Sequence, residues 1–279
     1  MNEYYIAEKK YDSGYKKKCW DMAIGLQAVD DMKTSEYLYS LAEQHIAGRI
    51  SNEEIENLLY KKYEEETLEE KEKRSKESDI VSNRIVQLLS EDAFTFSPVT
   101  LKYIHKILFD GIYDHAGQYR QYNISKDEPI LNGNSVKYSN YHIIKDTLEY
   151  DFQEEKECKY SSMANEQVIH QISKFTSSIW QVHPFMEGNT RTTAVFMERY
   201  LSSIGFDVNN TLFLENAKYF RNALVRSNYA DYSKGIDTDF SFLNRFYESL
   251  LFHKELILQS RDTILLKCFE KNKNKVTSH

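Results

Sequence analysis

Residues 183–191 read His-Pro-Phe-Met-Glu-Gly-Asn-Thr-Arg, which places a titratable base, a carboxylate, a Gly-Asn turn and an arginine within nine positions. An apolar helical run from Thr192 to Ile204 follows at once. A turn that opens onto a helix leaves backbone N–H groups unpaired and pointing outward, where the helix dipole also favours negative charge. Arg191 adds a forked donor suited to phosphate oxygens. Glu187 offers the hard oxygen that Mg²⁺ on a nucleotide prefers. His183, on the far side of the turn, can take a proton from an incoming hydroxyl. Base, metal ligand and anion cradle together describe phosphoryl or nucleotidyl transfer. A plain helix-capping loop would need all of these residues side by side without using them.

The surrounding elements must hold this turn. Glu166–Val182 places Val168, Ile172, Phe175 and Ile179 on one helical stripe and delivers the chain to His183. The helix after the turn carries Val195, Phe196, Tyr200, Leu201 and Ile204 around much of its circumference, which predicts a central, buried position. Upstream, Ser97-Pro98 starts a helix through Leu101, Ile104, Leu108 and Phe109. Asn132-Gly133 between apolar residues predicts a β-hairpin. Near the N-terminus, Ser35 caps a helix ending at Gly48, and Ser51 with Glu54 forms a capping box for the next. Residues 61–78 are a mixed charge run whose Glu69–Lys73, Glu70–Arg74 and Glu72–Lys76 spacings predict a solvated connecting helix.

Composition narrows the class. The chain has 279 residues, only nine Gly and three Pro, and 28% charged residues, which favours a largely helical protein. A net charge of −7 argues against general nucleic-acid binding. Cys19, Cys158 and Cys268 lack Cys-x-x-Cys spacing and suit free thiols in a reducing cytoplasm. No leader pattern and no apolar run of membrane-spanning length is apparent, so a soluble protein without a membrane partner is expected. P-loop, kinase-lysine, dinucleotide and His-Glu-x-x-His patterns are absent from the sequence.

Residues 183–194 resemble the Fic-family signature His-x-Phe-x-Asp/Glu-Gly-Asn-Gly-Arg-x-x-Arg, matching at His183, Phe185, Glu187, Gly188, Asn189 and Arg191. Thr190 stands where Gly is usual, and Ala194 stands where the second Arg would be. Phe109 to Arg120 resembles the family segment that precedes its hairpin flap. Trp20, Gly25-Leu26, Val29-Asp30 and the Gly48-to-Glu54 pattern resemble an antitoxin-like domain found with some members. The resemblance implies an all-α bundle with a small β-hairpin flap. Its expected parts are an antitoxin-like unit over 1–62, a connecting helix over 63–79, a core over 80–255 and a C-terminal helix and tail over 256–279.

It also implies an activity, transfer of AMP from ATP to a Ser, Thr or Tyr hydroxyl of a protein target, the protein itself included. His183 would be the base, Glu187 the Mg²⁺ ligand, and Gly188, Asn189 and Arg191 the nucleotide cradle. Asn228 would meet the adenine. Ile130, Asn132, Gly133, Val136 and Lys137 would form the target-binding flap. Fic-fold phosphotransfer with the nucleotide reversed, or transfer of another phosphate-containing group, is the first alternative, and a toxin–antitoxin binding module with weak activity is the second. A homo-oligomer stays open. In many relatives a glutamate of the antitoxin-like helix pairs with the second motif arginine; here Ile24-Gly25 and Ala194 occupy the two places, so that inhibitory pair is expected to be missing. Thr211 to Asn216 matches the inhibitory pattern literally and is expected instead to start a helix.

Overall fold

Local signals set most helix boundaries in the computed structural model, which describes residues 12–64 and 69–265. Helix α1 (Ser13–Gly25) starts at Asp12, whose carboxylate accepts the Tyr15 N–H at 2.7 Å. It runs into a 3₁₀ turn, Leu26–Asp30. Ser35 caps α2 (Glu36–Ile46), and Ser51 and Glu54 form the expected capping box of α3 (Asn52–Lys62). Helix α4 covers Glu70–Leu89 without a break, so the charged run and the start of the core share one helix. Ser97 caps α5 (Pro98–Phe109), with Pro98 at its first turn.

The remaining helices are α6 (Ile144–Lys156), α7 (Asn165–Val182), α8 (Asn189–Ser203), α9 (Leu212–Asn228) and α10 (Ser241–Phe252). Among the described residues the fold is all-α, with no β-strand and one isolated bridge between Asp231 and Ile236. Helix α8 is buried from Asn189 to Leu201 and is enclosed by α4, α5 and α7. Its polar residues Thr192 and Thr193 are buried with the rest.

The N-terminal helices sit on the same core. Helix α1 packs against α4 and α9, and the following 3₁₀ turn packs against α8 and α9. Gly25 permits the α1–α9 approach, since a Cβ there would lie 2.3 Å from the Phe213 carbonyl oxygen. Asp79 of α4 is fully buried and accepts the Ser35 N–H and the Tyr63 hydroxyl, both at 2.8 Å. The charged helix is therefore solvated only in its first half: Ser78 to Val86 are buried.

The expected hairpin flap takes another form. Pro129–Leu131 is a 3₁₀ turn, Asn132 and Gly133 follow with φ of 54° and 85°, and the limbs are joined by the Glu128 N–H donating to the Asn134 carbonyl at 3.0 Å. Asn-Gly does reverse the chain in the left-handed region, as predicted. A ladder does not extend from it because Pro129 has no N–H to donate and Ile130 and Leu131 turn into the core. Val136 is buried as well, so the flap's apolar side chains are anchors rather than an exposed contact face. The Leu265 N–H donates to the Ile130 carbonyl at 2.7 Å, and the Asn132 side-chain amide donates to the Leu265 carbonyl at 2.9 Å.

Candidate active site

Helix α7 ends at His183 in the left-handed region (φ 47°), and α8 begins after Gly188, also left-handed (φ 73°). Six residues, His183 to Gly188, therefore separate the end of one helix from the start of the next and must turn tightly. Asn189 closes this turn: its side-chain oxygen accepts the Phe185 N–H at 3.0 Å, and its amide donates to the Phe185 carbonyl at 2.8 Å. Gly188 is required on two grounds, its positive φ and the Phe109 ring, which would lie 2.3 Å from an added Cβ. Thr190, at the position usually held by Gly, accepts a 3.0 Å hydrogen bond from the Trp180 indole.

Beneath the turn, Phe185 stacks on His105 at 3.8 Å. His105 Nδ1 accepts the Gly117 N–H at 2.8 Å, which fixes the proton on Nε2; that nitrogen donates to the Glu187 carbonyl at 3.1 Å. Burial depresses the His105 pKa to about 4, consistent with this neutral tautomer. His105 thus supports the motif from below, as a structural histidine should.

His183 is 8% exposed, packed against the rings of Tyr138 (4.3 Å) and Trp180 (5.2 Å). Its Nδ1 lies 3.3 Å from the Trp180 carbonyl, an acceptor only, so the proton belongs on Nδ1 and Nε2 keeps its lone pair. Burial lowers its pKa to about 3, and nearby Lys126, Arg120 and Arg221 push in the same direction. At neutral pH the ring is an uncharged base.

Two cavities meet at the motif. One of about 300 Å³ is lined by His183, Met186, Glu187 and the α8 N-terminus (Gly188, Asn189, Thr190), together with Lys126, Arg221 and Asp30. A larger one of about 690 Å³ shares Asp30, Lys126, Glu187 and Arg221 and adds Arg191, Glu77, Lys218 and Ile130. Glu187 is exposed and faces both. Among the described residues no group of three or more His, Cys, Asp or Glu is arranged to hold a metal ion, so most of the coordination of any metal beside Glu187 would fall to water or to a bound ligand.

Arg191 is only 1% exposed and is matched by acids. Its Nη2 donates to Glu77 at 2.7 Å, its Nη1 to Gln27 at 3.1 Å, and its Nε lies 3.0 Å from Asp30 Oδ2. The guanidinium also sits over the Phe109 ring at 4.8 Å. Asp30 thus brings a carboxylate of the N-terminal unit to the site, on Arg191 rather than on position 194. Glu215, in the literal match to the inhibitory pattern, is exposed on α9 and lines neither cavity. Thr211 does precede that helix, although its hydroxyl bonds Asp21 at 3.1 Å instead of capping.

Of the other predicted residues, Lys137 is exposed, and its carbonyl accepts from Gln181 at 3.0 Å. Asn228 lines neither cavity; its amide ties α9 to α7 through the Ser177 carbonyl at 3.3 Å. Sequence reasoning missed Lys126, Arg221, Asp30 and Glu77. Arg221 is paired with fully buried Glu128 at 2.9 and 3.1 Å, and only chain crossing brings these two together.

Fold and site together define an all-α protein built around a buried helix whose N-terminus opens on a cavity beside a buried histidine. Residues 95–201, which span α5 to α8, match the model of the Fic/DOC family, and the chain carries a Fic/DOC domain. Solved structures share the fold. The N-terminal Fic domain of a VirB-translocated effector protein from Bartonella sp. AR 15-3 is similar at 19% identity and TM-score 0.53, over 71% of this chain and 89% of that one. The BepC protein of Bartonella tribocorum with bound AMPPNP is similar at 15% identity and TM-score 0.52, over 65% and 87%. A Fic family protein from Desulfovibrio desulfuricans G20 gives 12% identity and TM-score 0.53 over 93% of this chain and 67% of that one. Among the described residues no helix is long and apolar enough to cross a membrane.

Proposed function

We propose that this protein transfers AMP from ATP to a Ser, Thr or Tyr hydroxyl of a protein target, its own chain included. The observation that carries the reading is the placement of a neutral His183 on one cavity wall with the α8 N-terminus, Lys126 and Arg221. Nε2 would accept the hydroxyl proton while that oxygen attacks the α-phosphorus and pyrophosphate leaves. Such a step is mostly positioning and charge neutralisation. The helix-start N–H groups at Gly188 and Asn189 suit phosphate oxygens, and exposed Lys126 adds a positive charge. Arg191 serves the β-phosphate once Asp30 gives way, because phosphate and carboxylate compete for the same guanidinium. An exposed carboxylate at the motif turn suits Mg²⁺ carried in on phosphates, so Glu187 would hold that ion, which when bound would neutralise charge on the leaving pyrophosphate.

The AMPPNP held by the BepC relative supports an ATP-like ligand for this chain. In this reading the antitoxin-like unit spans 1–62, of which 1–11 lie outside the described residues, beside an 80–255 core, and the thiols Cys19 and Cys158, free of disulfides, suit the cytoplasm. Cys268 lies outside the described residues. The test uses ATP labelled separately at the α- and γ-phosphate, with parent protein and His183→Ala. Protein-bound α-label that needs His183 supports AMP transfer. Bound γ-label instead would replace it with phosphotransfer, and no label in either form would sink both.

A further inference from the structure

We propose that Arg120 is the positioning residue of the transfer reaction, a single guanidinium that locks His183 and both limbs of the flap into one register. Its Nε donates to the His183 carbonyl at 2.8 Å, and its Nη1 donates to the Tyr122 carbonyl at 2.7 Å. Its Nη2 donates to the Val182 carbonyl at 3.2 Å and also to the Ser139 carbonyl. The Arg120 backbone N–H donates to the Pro184 carbonyl at 2.8 Å. Tyr122 lies before the 128–134 turn and Ser139 after it, so the fork spans the base of the flap and the end of α7 together. Only a planar group with several fixed N–H directions can serve four carbonyls from three segments at once.

The environment is unusual for a structural arginine. Arg120 is 3% exposed, and among the described residues no carboxylate pairs with it. A buried charge satisfied only by carbonyls is costly and gains nothing from an ion pair. What it holds is also costly, since His183 is a non-glycine residue at φ 47°. Its charge also helps to keep the His183 imidazole neutral. The residue belongs to neither cavity and touches no reacting group, so it acts through His183 and the flap.

The proposal rests on the transfer reading, and its test separates the two. Full-length parent, Arg120→Lys, Arg120→Met and His183→Ala would be compared for folding by circular dichroism, for affinity toward a non-hydrolysable ATP analogue, and for self-labelling rate. The His183 ring would be followed by NMR titration. For Arg120→Lys, which keeps the charge but not the fork, labelling should fall 10- to 100-fold with analogue affinity within threefold of the parent. For Arg120→Met the His183 resonance should in addition titrate at higher pH, while Arg120→Lys stays close to the parent. Unchanged labelling in folded Arg120→Lys would overturn the proposal, as would affinity and rate falling in parallel. If the parent itself shows no His183-dependent labelling, the transfer reading fails. The titration then decides for Arg120 alone: a His183 ring that behaves identically in parent and Arg120→Met overturns the positioning role.

Discussion

Asp30 Oδ2 lies 3.0 Å from Arg191 Nε, so the arginine expected at the phosphates is already matched by a carboxylate from the N-terminal turn. Glu77 holds the same guanidinium at 2.7 Å. Two acids on one cation leave little positive potential for an anion, and Asp30 lines both cavities.

Asp30→Asn should therefore tighten ATP-analogue binding, on the order of tenfold, equivalent to about 1.4 kcal/mol. Arg191 stays paired with Glu77, so the variant should remain folded with a modestly lower melting temperature. Calorimetry of parent and variant decides. Equal or weaker binding in a folded variant would show that Asp30 supports the site instead of masking it.

His183→Ala should remove transfer by a factor of ~10²–10⁴ while analogue affinity changes only a few-fold, because the base acts on the acceptor hydroxyl. Single-turnover labelling alongside calorimetry measures both. A variant as active as the parent means another base.

Stability should fall on mild acidification. Burial lowers the pKa values of His45 and His105 to about 4 and of His183 to about 3, below the ordinary value of 6.5. The unfolded chain therefore binds protons that the folded one refuses. Their stabilising contribution is complete above about pH 6.5 and is lost as pH falls toward 4 for His45 and His105, and toward 3 for His183. Each contributes a slope of up to about 1.4 kcal/mol per pH unit within that window. Urea midpoints for parent and His45→Gln between pH 7.5 and 5 provide the check; identical slopes would contradict it.

Gly188→Ala should cost on the order of 3 kcal/mol, combining positive-φ strain with the Phe109 clash. Phe109 also lies under Arg191, so the proposed nucleotide site should loosen along with the fold. A melting temperature within about two degrees of the parent, roughly 0.5 kcal/mol, would mean the turn relaxes freely.

Replacing Asn132-Gly133 with two alanines should weaken the reversal and remove the hydrogen bond from the Asn132 side-chain amide to the Leu265 carbonyl. Cleavage by trypsin at Arg261 should accelerate several-fold. Target labelling should fall while analogue affinity stays within a few-fold. If cleavage and labelling are both indifferent, the Leu265 segment and target recognition are independent of this turn.

The local features were legible in the sequence because their causes are local. Ser51 with Glu54, Ser97 with Pro98, and the stripe of Val168, Ile172, Phe175 and Ile179 each fix an element through neighbours a few residues away. His183, Glu187, Gly188 and Asn189 fall within seven positions, so their meeting at one turn follows from chain continuity. The flap was legible only in part: Asn132-Gly133 turns the chain, but Pro129 and the burial of Ile130 and Leu131 decide that no ladder grows from it.

Tertiary structure alone decided the electrostatics. Asp30 and Arg191 are 161 residues apart, and Glu77 reaches the same cation from a helix that otherwise reads as a solvated charge run. Arg221 meets Glu128, and Arg120 meets the His183 carbonyl, by the same kind of crossing. Charge pairs of this kind leave no periodic trace, because a carboxylate finds its cation through the packing of whole helices rather than through spacing along the chain. The sequence by itself determined which groups could do the chemistry; the packing of α4, α5, α7 and the Leu26–Asp30 turn around α8 decided which of them are held, masked or left facing the cavities.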